Sequence, residues 1–319
     1  MANKNQTKCI TSIGGQALME GIMMRGPKRT VVACRLPDKS IETVDMELHP
    51  IQERYPFLKL PFIRGIVGMV QSFKIGFKAL GISAEFMATD QEAEQSKFDK
   101  WCEEHFGDKL MGAMMGIAGF FGVALAIALF IFLPSLTFNG LHYITGSHEA
   151  FSYWRSPIEG GLRILIFVLY MLICSFLPSV KRMFQYHGAE HKTIFCYENE
   201  LELTVENVRK QSRFHPRCGT SFLILMLIVG IVVGFFIPFE NPILRTACKL
   251  LLLPVSVSVG YELIKLCARF DNILTRMIAA PGLWVQRITV KEPDDSMMEV
   301  AIAAMKEVIP ENGEDLIRK

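Results

Sequence analysis

Four stretches almost free of charge constrain this chain more than anything else in it. They run from about Leu110 to Leu133, Leu162 to Val180, Thr220 to Phe239 and Thr246 to Leu266. Each approaches the ~20 residues that a helix needs to cross a bilayer. Arg163 and Lys249 stand near the starts of the second and fourth, and Pro254 is placed to kink the fourth. Half of the 319 residues are hydrophobic although 21% are charged, and the mean hydropathy is +0.29. The apolar residues are therefore concentrated rather than spread. The expected fold is an α-helical polytopic membrane protein of about four transmembrane helices plus an amphipathic helix. A small cytoplasmic α+β part from the N- and C-terminal segments completes it.

The polar parts divide the rest. Residues 1–55 read as a β-rich N-terminal segment. It opens with a polar stretch, Met1 to Lys8, so no cleavable signal peptide is expected there. A glycine-rich run, Gly14 to Pro27, matches neither a dinucleotide nor a phosphate loop. The β-type runs Thr30–Leu36 and Ser40–Glu47 flank a Pro37-Asp38-Lys39 turn. Residues 56–109 hold a helix from Pro56 to Ala88 and a charged linker. Arg64, Gln71, Lys78 and Glu85 make a polar stripe on that helix, while Phe62, Ile63, Val70, Phe73 and Phe77 are apolar. Such a helix suits a membrane surface or packing against other helices. Residues 110–266 form the four-helix membrane domain, with a polar loop at 181–218. In 267–319 an amphipathic helix ends at Pro281-Gly282. A strand is expected over Trp284–Val290, then a helix opened by a capping box at Ser296–Glu299.

Charge sets the orientation. The 181–218 stretch carries seven Lys and Arg residues, whereas 139–159 carries only Arg155 and 240–246 only Arg245. Positive loops stay inside, so 181–218 and both termini are expected in the cytoplasm of a multi-pass cell-membrane protein. The net charge of +2 shows no basic tract, so no nucleic-acid partner is expected. The partners read from the sequence are the lipid bilayer and a membrane-bound or lipid-linked substrate. The eight cysteines lack a C-x-x-C pair and imply no disulfide framework.

The 181–218 loop holds the chemistry. His187, Glu190 and His191 fit H-x-x-E-H, which on a helix puts all three side chains on one face. Two neutral imidazoles suit a Zn²⁺-like ion, and a carboxylate beside them ligates, acts as a base or orients a ring. His215 and Cys218 form a second pair, H-x-x-C, beginning 24 residues after His191. Three of the seven histidines thus fall within 32 residues. His215 is the first choice for a third ligand and Cys218 the second, with Glu190 as the base toward water at an open metal position. Glu20 and Arg25 either pair with each other or place a substrate carboxylate or phosphate on Arg25. Glu262 is either a late ligand or an interfacial carboxylate paired with Lys265.

These motifs together resemble a known group. The runs at 14–27, at 187–193 (H-G-A-E-H-K-T), at 215–222 (H-P-R-C-G-T-S-F) and at 281–289 are similar to those of the YqhQ-like bacterial membrane proteins. That family is generally described as a domain of unknown function and as predicted metal-dependent enzymes. The resemblance implies an inner-membrane location and a divalent metal, and supplies neither substrate nor reaction. The expectation is a Zn²⁺-dependent hydrolase at the cytoplasmic membrane face. A membrane scaffold with a closed structural metal site is the alternative, and a small transporter a third reading.

Overall fold

The computed structural model describes residues 9–47, 55–88, 116–145, 154–270 and 272–318. Strands β1 (Cys9–Thr11), β2 (Gly14–Leu18), β3 (Gly21–Arg25), β4 (Thr30–Arg35) and β5 (Ile41–Asp45) come first. The helices α1 (Ile63–Ala88), α2 (Gly116–Ile144), α3 (Arg155–Cys174), α4 (Pro178–Glu198) and α5 (Val205–Arg209) follow. Then come α6 (Gly219–Gly234), α7 (Pro242–Leu251), α8 (Leu253–Arg269), α9 (Ile273–Thr289) and α10 (Asp295–Val308), and β6 (Leu316–Arg318) is last. The chain forms two compact units. One gathers Met1–Asp90, Met171–Ser221 and Ala279–Lys319, the other Gln91–Tyr170 and Phe222–Ile278.

In the first unit β2, β3, β4 and β5 form an antiparallel sheet in chain order. Side chains alternate across a strand, and here both faces are covered. Ile22, Met24, Val31 and Ala33 pack on Tyr186 and Ala189 of α4 and on Met297, Ala301 and Met305 of α10. Leu18, Met23, Val32 and Cys34 turn the other way, onto Ile75 and Ala79 of α1. Burial on two sides explains why β3 and β4 read as unbroken apolar runs. The glycine-rich run is the β2–β3 hairpin, closed by Met19 and Glu20, the latter in the left-handed region at φ 49°. Gly21 is required there, since a Cβ would stand 2.5 Å from Sγ of Cys34. The first and last strands meet: β1 pairs antiparallel with β6, and Thr11 Oγ1 donates to Asp315.

Two sequence expectations are corrected in this unit. Residues 284–289 are not a strand but the end of α9, which continues through Pro281. Packing overrides the local signal. Gly282 lies so close to Ser221 that a Cβ would come within 2.6 Å of its Cα, and Gln286 donates to Ser221 Oγ at 3.0 Å. The cap of α10 is Asp294, which accepts from the Met297 N–H, so the helix opens before Ser296.

In the second unit α2 and α3, 29 and 20 residues long, are long and apolar enough to cross a bilayer. α7 and α8 pass the same test only together, bent by 49° between them. Pro254 sits in the first turn of α8, so it accounts for a break rather than a mid-span kink. α6 is apolar but has 16 residues. Among the described residues the spans by length and composition are therefore two, or three if the bent pair is one. The second stretch also ends earlier than its hydropathy suggests. α3 stops at Cys174, and Pro178 in the first turn of α4 begins a new helix. Among the described residues of this unit Arg155, Glu159, Arg163 and Arg245 are buried. Glu159 accepts from Arg155 at 2.9 Å, from Arg245 at 3.1 Å and from Lys249, while Arg245 also donates to the carbonyls of Gly234 and Ile237 past the end of α6.

Candidate metal centre

α4 carries His187, Glu190 and His191 because its turns put positions i, i+3 and i+4 on one side. Its other positions anchor it: Tyr186 and Ala189 are fully buried against the sheet. Gly188 lets the segment after α9 approach, since a Cβ there would stand 2.1 Å from the Lys291 carbonyl oxygen. The Lys291 N–H donates to the Phe184 carbonyl at 2.9 Å. α4 and the end of α9 are thereby locked side by side.

That lock orients both rings. His187 Nδ1 lies 3.1 Å from the Thr289 carbonyl oxygen, and His191 Nδ1 lies 2.6 Å from that of Arg213. A carbonyl only accepts, so each Nδ1 carries the proton and each Nε2 keeps its electron pair. His187 Nε2 is 3.1 Å from Cys218 Sγ. One donor atom from each of His187, His191 and Cys218 lies within 4.8 Å of the others. The donor set, two imidazoles and one thiol with the ring tautomers fixed by carbonyls, fits a tetrahedral Zn²⁺ with a fourth position left over.

The electrostatics agree. Burial holds His191 down at about 4, which keeps it a neutral ligand at physiological pH. Burial pushes the Cys218 thiol up, and the hydrogen bonds from Thr220 oppose it. Glu190, only 6% exposed, is pushed up to about 7 by burial, against the pull of His187. It accepts from the Gly15 N–H, and its Oε2 has no hydrogen-bond partner. Gly15 makes this approach possible, because a Cβ would stand 2.9 Å from the Glu190 carboxyl carbon.

His215, the first choice for third ligand, stands beside the group rather than in it. Its ring centroid is 5.4 Å from that of His191. Its Nε2 lies 3.2 Å from Nη2 of Arg217 and 3.8 Å from Glu198 Oε2, and its Nδ1 accepts from the Arg217 N–H. Cys218, the second choice, is the residue grouped with the two α4 histidines. Glu20 pairs with Arg182 through both carboxylate oxygens, not with Arg25, and accepts from Tyr186 at 3.3 Å. Arg25 lines a cavity beside β2. Glu262 lies on α8 in the second unit and is not among the grouped donors.

Several supporting residues escaped the sequence reading. Gln286 is fully buried; it accepts from the His215 N–H at 2.8 Å and donates to the His215 carbonyl at 2.7 Å, so it pins the segment that delivers Cys218. Glu198 binds Arg217 and the Thr11 N–H. Gln286 was hidden by the expectation of a strand. Glu198 offered no signal beyond being a carboxylate near the loop.

The family described as "Protein of unknown function (DUF1385)" matches residues 60–311. The "Uncharacterized protein YqhQ" of Bacillus subtilis (strain 168) is 34% identical over 299 residues, covering 93% of this chain and 92% of that protein. No solved structure matches the chain.

Proposed function

The chain belongs to the DUF1385 family, and within it we propose a zinc-dependent hydrolase of the bacterial inner membrane that works at the cytoplasmic face. In this reading four helical stretches cross the bilayer: α2, α3, α6 and the α7–α8 pair. Both termini and the α4–α5 segment lie inside. Chain order supports a site at the membrane boundary, for Cys218 directly precedes α6 and only three residues separate α3 from α4.

The observation that carries the reading is the pair of Nδ1–H···O=C bonds that leaves two Nε2 electron pairs beside the Cys218 thiol. His187, His191 and Cys218 would hold the ion. Zn²⁺ so held supplies Lewis acidity and a nucleophile at neutral pH. Glu190 takes the proton from the attacking water and returns it to the leaving group. Burial pushes this carboxyl upward, which makes it the better base. The unpartnered Oε2 is the atom available for that exchange.

One observation favours a second reading. The His215 ring is near enough to His191 that a turn of its side chain would bring a fourth donor and close the site, as in a scaffold. Metal analysis of the purified protein tests both. The hydrolase reading expects about one zinc per chain, lost in His187→Ala and Cys218→Ala but kept in Glu190→Gln and His215→Ala, with three protein ligands by X-ray absorption. Loss in His215→Ala and four protein ligands would establish the scaffold. Wild-type protein without stoichiometric metal after chelator-free purification would end both.

A further inference from the structure

A cavity of about 490 Å³ lies beside β2, β3 and α1 in the first unit. This is a volume typical of small-molecule sites, ~300–1,000 Å³. Gly14 of β2, where an added Cβ would meet nothing within 4 Å, leaves it open on one side, and Ser12, Gln16, Arg25 and Ser72 line it. Among the described residues the guanidinium of Arg25 has no ion pair, and the side chains of Ser12, Gln16 and Ser72 have no hydrogen-bond partner. The contrast with Glu20, Arg29, Arg35 and Arg182 in the same unit, all paired, is sharp. Arginine presents a rigid fork of donors suited to an oxyanion. A carboxylate would be satisfied by that fork alone. Two hydroxyls and an amide beside it ask for further acceptor oxygens, which a phosphate provides.

Gly15 belongs both to this cavity and to the Glu190 contact. Its N–H and the space left by its missing side chain both serve Glu190.

We propose that this cavity is a phosphate-recognition pocket, in which Arg25 with Ser12, Gln16 and Ser72 binds the phosphate group of a small molecule or lipid. The proposal concerns binding and does not rest on the hydrolase reading.

The test uses the full-length protein in detergent and calorimetric titration with inorganic phosphate and with dioctanoyl phosphatidate, against dioctanoylglycerol, which lacks the phosphate. Wild type is expected to bind one or both phosphate ligands and not the glycerolipid. Arg25→Gln should weaken binding at least tenfold. His187→Ala should bind as wild type does, so failure of the metal site leaves the pocket standing and the two readings fail separately. Inorganic phosphate competing with the lipid identifies a soluble phosphate source; lipid binding alone identifies a membrane headgroup, and either supports the pocket. Ser72→Leu fills the cavity from an exposed position on α1 without altering charge, and decides the matter if Arg25→Gln does not fold. Wild type binding neither phosphate ligand, or both variants binding as wild type does, overturns the proposal.

Discussion

Nε2 of His187 lies 3.1 Å from Sγ of Cys218, 31 residues further along the chain, while Nδ1 of the same ring lies 3.1 Å from the Thr289 carbonyl. Three segments therefore converge on one imidazole. A ligand bound only by this folded arrangement stabilises it by mass action, by ~4 kcal/mol when present at a thousand times its Kd. Chelation should lower the melting temperature of the wild type by several degrees and leave Cys218→Ala where it is. Thermal melts with and without EDTA check this, and an equal drop in the variant would place the metal elsewhere.

Gly14 and Gly15 are neighbours in β2 with opposite expectations. An added Cβ at Gly14 meets nothing within 4 Å, whereas at Gly15 it stands 2.8 Å from the Met23 carbonyl oxygen and 2.9 Å from the carboxyl carbon of Glu190. Gly14→Ala should be nearly neutral. Gly15→Ala should cost ~1–3 kcal/mol, as overpacking of a filled site does. Denaturant unfolding of the two variants tests the contrast. Equal stability would mean that Glu190 is not seated against β2.

The donor residues were legible in the sequence because their spacing is local. His187, Glu190 and His191 need only a helix to share a face, and α4 is that helix. The choice between His215 and Cys218 was not legible, because it depends on which way a short turn faces after Gln286 grips His215 at both backbone atoms. Gln286 itself could not be placed while Pro281-Gly282 read as a helix end. The sheet was half legible. The 30–47 hairpin follows from alternation and a turn, but β2 and β3 hid in a glycine run whose glycines serve close contacts with Cys34 and Glu190 rather than turns. The apolar stretches showed where helices are. They did not show that Pro178 and Pro254 begin new helices within them.

Glu198 makes a prediction about acid. It is buried, which pushes its carboxyl up, but His215 and Arg217 outweigh burial and hold it below its ordinary 4.5. Above 4.5 the carboxyl is ionised whether the chain is folded or not, and its contribution to stability is complete. Below 4.5 the unfolded chain takes up a proton that the folded one refuses, so stability falls until the folded carboxyl also protonates. Glu198→Gln should flatten that acid limb. It should also cost about 3 kcal/mol at neutral pH, because Arg217 loses its partner. Unfolding free energies from pH 3 to 7 measure both; an unchanged limb would mean that other carboxylates govern acid unfolding.

The orientation in the membrane is tested at Glu206. It lies on α5 with its side chain 75% exposed, paired only with Lys210 one turn on. An exposed pair of this kind contributes well under ~1 kcal/mol, so Glu206→Cys should fold normally. Its thiol is also accessible by position, whereas the described native cysteines are buried or half-buried. The proposed topology puts α5 in the cytoplasm, because the segment between α3 and α6 carries the positive charge and the loops before α3 and after α6 do not. In intact cells a membrane-impermeant maleimide should leave the variant unlabelled, and permeabilisation should label it fully. Labelling in intact cells would turn the protein over, and would move the His187–Cys218 thiol from a reducing compartment into an oxidising one, where a free thiol ligand is harder to keep.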